Sequence, residues 1–355
     1  MEQLGGRHKP AGAASLDGRK RFGRGKRLAA EALAAVVCLG GLGITGADNL
    51  QTDSGELCRD SEISRESERM PQASGGGQRA EDGREELTGS LELAGSSSME
   101  KLTDALAECF MERYPGIIVT AQFTGSSAGI ESVLQGRADI AMISRDLSEE
   151  EMAEGLAAYE VALDGIAVCV DSENPVAEMT QQQLRDICTG KITNWSALGG
   201  GDIPVVLIGR EAGSGTRETF EEMLGVSGRC TYANELDSSG AVLARIASTP
   251  GAVGYLSLDV LHAAAGPEET KGEKGRESDV RNRVRAVALD GVPPTAENVR
   301  DGKYPFSRPL LMVTGGELSA GSHAVMLWFR YVYSEEGQSI AEKVGLVRKA
   351  PEKTQ

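Results

Sequence analysis

Residues 209–217 read GREAGSGTR, and their side chains are those of an oxyanion receptor. The turn follows an apolar run over 204–208 and precedes a helical pattern over 218–224, so the sequence predicts strand, glycine-rich turn and helix start. Gly213 and Gly215 let backbone N–H groups turn inward, Ser214 and Thr216 add hydroxyl donors, and Arg210 supplies a charged fork. Together these suit a tetrahedral anion. A nucleotide P-loop is excluded, because that motif needs a lysine ahead of the Ser/Thr at the helix start, and this turn holds none. An ordinary tight turn uses the same glycines, and their spacing alone does not separate the two readings.

Two further clusters repeat the pattern. Residues 91–94 alternate as a short strand, and Gly-Ser-Ser-Ser at 95–98 leads into a helical pattern over 99–114 marked by Leu102, Leu106, Cys109 and Phe110. A β-branched strand over 117–123 is followed by Gly-Ser-Ser-Ala-Gly at 125–129 and a helix predicted over 130–135. In an open α/β sheet ligands sit beyond the carboxyl ends of the strands, where helix dipoles and free N–H groups converge. Serine is also an ordinary N-cap, which accounts for any one cluster taken singly. Ser238 and Ser239 open a fourth helix, predicted over 241–247, and are read first as caps.

The segments GSSSMEKL (95–102), FTGSSAGI (123–130), ADIAMISRDLS (138–148), ALDGIAVCVDSENPV (162–176), ICTGKITNW (187–195), IGREAGSGTRETF (208–220) and TPGAVGYLSL (249–258) occur in a familiar order. They resemble the phosphate-binding subunit of bacterial phosphate ABC transporters over residues 88–348. The resemblance implies an α/β periplasmic-binding-protein fold of type II, with two lobes, each a sheet flanked by helices, and the ligand in the interlobe cleft. Lobe 1 would comprise 88–165 plus 306–349, and lobe 2 would comprise 166–305. It further implies Arg210 as the charged clamp, Ser214, Gly215 and Thr216 as donors beside it, Ser97 and Ser98 from the first turn, Ser127 from the second, and Ser144 from the third strand.

One departure concerns selectivity. Well-known members place an aspartate directly after the third-strand serine, where it accepts the proton of hydrogen phosphate, a proton that sulfate lacks. This chain reads Ser144-Arg145-Asp146, so Arg145 takes the acidic position. Asp146, one residue later, and Asp164, at the expected lobe crossover, are the candidate proton acceptors. Asp164 reads equally as a structural hinge carboxylate.

Composition is compatible with this reading. The 355 residues are 40% apolar, enough for two cores, while a formal charge of −16 and an aromatic share of 4% argue against nucleic acid. Residues 1–47 read as an export signal, with a basic stretch (Arg19, Lys20, Arg21, Arg24, Lys26, Arg27) before an apolar run over 32–44. Residues 48–87 read as a flexible acidic Ser/Gly-rich tether, and 350–355 as a tail. The expected location is the outer face of the cell membrane, tethered or lipid-anchored, or secretion. Neither Cys38 nor Cys58 follows the small residue that lipid attachment favours. The expected partners are inorganic phosphate and the membrane permease subunits of an ABC transporter, with the chain a monomer.

With no CxxC spacing and three scattered histidines (His8, His262, His323), neither a metal nor a cofactor is expected. Cys109, Cys169, Cys188 and Cys230 are read as buried thiols. Two other functions compete. Residues 125–129 satisfy GxSxG with Ser127 as nucleophile, but a hydrolase would need His262 or His323, and neither lies in a motif. The same fold could also hold sulfate, molybdate or tungstate.

Overall fold

Strand and helix alternate through the computed structural model, which describes residues 88–262 and 282–348. The export signal, the tether, the tail and both Cys38 and Cys58 lie outside the described residues. The first elements are β1 (Gly89–Gly95), α1 (Glu100–Arg113), β2 (Ile117–Gln122), α2 (Ser126–Leu134), β3 (Ile140–Ile143), α3 (Glu149–Ala153) and the long β4 (Ala157–Asp171). Next come β5 (Glu178–Met179), α4 (Gln181–Cys188), β6 (Val206–Arg210), α5 (Gly215–Leu224), β7 (Asn234–Leu236), α6 (Ser239–Ala247), β8 (Ala252–Ser257) and α7 (Leu258–His262). The chain then forms β9 (Val284–Ala286), β10 (Ala288–Leu289), α8 (Ala296–Arg300), β11 (Ser307–Thr314), α9 (His323–Val332), α10 (Glu335–Lys343) and β12 (Val347–Arg348).

The main strand path runs β2-β1-β3-β11-β4-β8-β6-β7. β1 pairs in parallel with β2 and β3, and β6 pairs in parallel with β8 and β7, so each end of the path is an open parallel sheet. Between them β4 serves both: residues 157–165 pair antiparallel with β11, and residues 166–170 pair antiparallel with β8. Two large cores flank this strand. One gathers Leu91, Leu93, Leu106, Phe110, Met312 and Trp328, with the Phe110 and Trp328 rings 5.2 Å apart. The other gathers Val168, Val170, Ile208, Phe220, Val253 and Tyr255, with Phe220 stacked on Tyr255 at 4.0 Å.

At the handover on β4 sits a buried ion pair. The Asp164 carboxylate accepts from Arg308 Nη2 at 2.8 Å and Nε at 3.1 Å, from Ser257 Oγ at 2.7 Å and from the Leu258 amide at 3.0 Å. Both side chains are fully shielded from solvent. Gly165 follows because the space is full: a Cβ there would lie 2.6 Å from Leu258 and 2.7 Å from Val299.

Several elements begin earlier than the sequence pattern predicts. α2 starts at Ser126 and not at 130, α5 at Gly215 and not at 218, and α6 at Ser239 and not at 241. Serine and glycine are tolerated there because the first N–H groups of a helix have no intrahelical partner, so low propensity costs little in the first turn. A correction also applies to the cysteines. Cys109 is disulfide-bonded, whereas Cys169, Cys188 and Cys230 are free. Trp328 and Phe329 are core residues.

Removing one member of a buried, hydrogen-bonded pair strands the other, so Asp164→Ala is expected to destabilise the fold by about 3–5 kcal/mol. Urea denaturation of the two proteins measures this difference, and a loss below about 1 kcal/mol would show the pair to be dispensable.

Candidate functional site

Three helix starts meet between the two halves. On the first turn Gly95 holds φ 145°, a conformation that leaves room for the Met142 carbonyl, which a Cβ there would overlap. Ser96 caps the following turn, accepting from the Ser98 amide, and donates its hydroxyl to Ser144 Oγ at 2.9 Å. The second turn places Ser126, fully buried at the start of α2, 3.4 Å from Ser144 Oγ. The third turn, after β6, brings Ser214, Gly215 and Thr216 to the start of α5.

These groups touch across the two halves. Ser98 Oγ lies 2.7 Å from Thr216 Oγ1 and 3.3 Å from Ser239 Oγ, and the Ser239 amide donates to Ser97 Oγ at 3.4 Å. Gly215 packs so closely that a Cβ would come within 2.5 Å of Ser126 Oγ and 2.9 Å of Ser144 Oγ. The Ser214 hydroxyl is buried with no hydrogen-bond partner among the described residues. Hydroxyls and amides converge here at these three helix N-termini and at that of α6, an arrangement that favours negative charge.

Arg210 supplies the cation. Its side chain is 2% exposed and is held by Leu236 O at 3.2 Å, Asp237 O at 2.9 Å, Ser239 Oγ at 3.3 Å and Glu211 Oε1 at 3.2 Å. Burial pushes its guanidinium below the ordinary arginine value, while neighbouring Glu211 opposes the shift. Gly209 is required beneath it, since the Tyr232 ring occupies the place of a Cβ.

Arg145 has other engagements. Its two terminal nitrogens donate to Glu151 at 2.7 and 2.8 Å, its Nε contacts Glu218 at 2.7 Å, and Nη2 also reaches Ser127 Oγ at 3.4 Å. The hydrogen bonds to Glu151 raise its guanidinium above the ordinary value against the cost of burial. Ser127 is only half-buried, so Ser126 and not Ser127 joins the hydroxyl cluster. Asp146 is exposed, and Asp164 is committed to Arg308 and the amide of Leu258. Thus Ser97, Ser98, Ser144, Arg210, Ser214, Gly215 and Thr216 come together, Ser127 stands at the rim, and neither aspartate joins them.

Sequence reasoning passed over two residues: Ser126, next to the Ser127 to which the resemblance points, and Glu211, next to the arginine. Of Ser238 and Ser239, both read first as caps, Ser238 is the actual cap and Ser239 reaches the cluster. Glu211 is one-third exposed, yet its Oε2 is buried without a hydrogen-bond partner among the described residues.

Two α/β halves joined by shared strands, with anion-favouring helix starts facing each other between them, define a solute-binding architecture. Residues 80–336 match the model of the PBP superfamily domain, and the chain belongs to that superfamily. It is similar to the phosphate-binding protein PstS of Bacillus subtilis, 36% identical over 228 residues, which are 63% of this chain and 69% of that protein. Among solved structures it resembles a Clostridium perfringens protein assigned to phosphate ABC transporter substrate-binding proteins and crystallised with bound phosphate. That similarity has 36% identity and TM-score 0.65, covering 74% of this chain and 100% of that one. An ABC-type phosphate transport receptor from Vibrio cholerae is similar at 29% identity and TM-score 0.57, covering 73% of this chain and 100% of that one.

Beside the hinge pair, Asp259 is buried, and neither carboxylate oxygen has a hydrogen-bond partner among the described residues. Ser257 has one hydroxyl proton and gives it to Asp164, and Lys101 of α1 donates to the Asp259 backbone carbonyl at 3.1 Å. Burial, and then repulsion from Asp164, push the Asp259 carboxyl up to about 7. The folded protein therefore holds this proton more tightly than the unfolded chain, where an aspartate titrates near about 3.9. The associated stability is complete below that value and is lost as pH rises through about 7. Asp259→Asn is expected to raise Tm at pH 8 while leaving it nearly unchanged at pH 4, as thermal unfolding at the two pH values would record.

Proposed function

We propose that this chain is an extracytoplasmic solute-binding protein that captures inorganic phosphate between two lobes, 88–165 plus 306–349 and 166–305, and delivers it to an ABC permease. The observation that carries this reading is the meeting of three helix starts and Arg210 across the halves, sealed by the 2.7 Å contact of Ser98 with Thr216. In this role Ser97, Ser98, Ser126, Ser144, Ser214, Gly215 and Thr216 act as neutral donors, and Arg210 is the charged clamp. The names of the similar Bacillus, Clostridium and Vibrio proteins support phosphate as the ligand.

In this reading the chain acts by binding, which its membership of the PBP superfamily supports. The Ser127 hydroxyl accepts from Arg145. His323 opens α9, behind the Ser322 cap. An exported location, at the outer face of the cell membrane or secreted, is the reading that the basic and apolar segments over residues 1–47 support. Among the described residues no helix is long and apolar enough to cross a membrane.

Removing the buried guanidinium leaves the anion without its counter-charge, so Arg210→Ala is expected to weaken phosphate binding by about 2–5 kcal/mol. Calorimetric titration of protein stripped of bound anion tests this, and a near-wild-type Kd in the variant would remove the reading. Gly215→Ala inserts a methyl group between the halves, and overpacking of this kind is expected to cost about 1–3 kcal/mol of phosphate affinity with little change in Tm. Titration and thermal unfolding of that variant separate lost closure from lost folding.

A further inference from the structure

We infer that Glu211 is the residue that accepts the proton of the bound anion and so makes the site select a protonated oxyanion over sulfate. This inference rests on the anion-binding reading above and names what that reading leaves open. The cluster of Ser97, Ser98, Ser126, Ser144, Ser214 and Thr216 can donate to any tetrahedral anion, and Arg210 attracts all of them. Discrimination on a proton needs an acceptor that cannot donate. A carboxylate is one.

The other acids near the cluster are engaged by cations or exposed, except Asp259, which is buried beside the hinge pair of Asp164 and Arg308 and away from the clamp. Asp164 is bound by Arg308, Ser257 and the Leu258 amide. Glu151 and Glu218 are taken by Arg145. Asp146 is exposed, and its backbone carbonyl accepts from Arg145.

Glu211 is different. Its Oε1 lies 3.2 Å from the Nη2 of the clamp itself and 3.7 Å from the position of a Cβ on Gly125, the residue that begins the α2 turn. It therefore stands between the arginine turn and the second serine turn. Its Oε2 is buried with no donor among the described residues. Arg210 does not need it for orientation, because Leu236 O, Asp237 O and Ser239 Oγ already fix the guanidinium plane. An acidic oxygen kept beside an anion clamp is repulsive to a fully ionised ligand. It becomes favourable when the ligand brings a proton to share, and hydrogen phosphate does while sulfate does not.

The test is calorimetric titration of the full chain, stripped of anion, with phosphate, arsenate and sulfate at pH 7.5, for wild type and for E211Q. Glutamine keeps the size but carries an amide that can donate. Wild type is expected to bind phosphate and arsenate, both protonated, and to reject sulfate. In E211Q the phosphate-to-sulfate affinity ratio is expected to fall roughly 100-fold or more, because a site built around a ligand hydroxyl discriminates by that scale.

An unchanged ratio would overturn the inference, including the case in which both affinities drop together because Glu211 merely positions Arg210. Wild type that binds sulfate as well as phosphate, or that rejects arsenate along with sulfate, would also overturn it while leaving oxyanion capture intact. Wild type that binds none of the three would overturn the proposed function itself.

Discussion

The buried pair of Asp164 and Arg308 is the constraint on which the rest of the structure depends. Two charges removed from water carry a large desolvation cost, and only good geometry and further hydrogen bonds offset it. Here the offset is built from several elements at once: β4 provides Asp164, β11 provides Arg308, and Ser257 and Leu258 of the β8–α7 junction complete the carboxylate's shell. The remaining Arg308 nitrogen donates to the Ser144 carbonyl at 3.2 Å, so the same pair that locates the crossover also locates a hydroxyl of the anion site. Hinge and binding site share a side chain.

The charge pattern of the site explains how an acidic chain can hold an anion. A formal charge of −16 belongs mostly to exposed carboxylates, whose field is screened over roughly 8–10 Å at ordinary salt. Within contact distance the dominant groups are neutral hydroxyls, amides at helix starts and one buried guanidinium. Arg145, although close, is neutralised by Glu151 and Glu218 and adds little net attraction.

The turns were legible in the sequence because glycine and serine announce them, and the strand before each turn was legible from its apolar run. β6 and its arginine turn lie where the GREAGSGTR segment places them. Helix starts were less legible, since the first turn of α2 and α5 is Ser/Gly-rich and lacks apolar periodicity. Ser127, the residue the resemblance points to, and Ser126 are one residue apart but face different surroundings. Arg308 was not legible at all. Nothing local marks an arginine within a strand, and its role depends on pairing with a residue 144 positions away. The engagement of Arg145 was likewise a matter of what α3 and α5 bring beside it.

The route of β4 has a mechanical consequence. The chain enters the second half through β4 and returns through β11, so β1 and β12 both belong with the strands of the first half, β12 through its pairing with Leu163 and Ala162. A pull applied to the polypeptide ahead of β1 is therefore borne by one half alone. The other half carries none of that load, and its placement against the first is set at the crossover and by the contacts across the site.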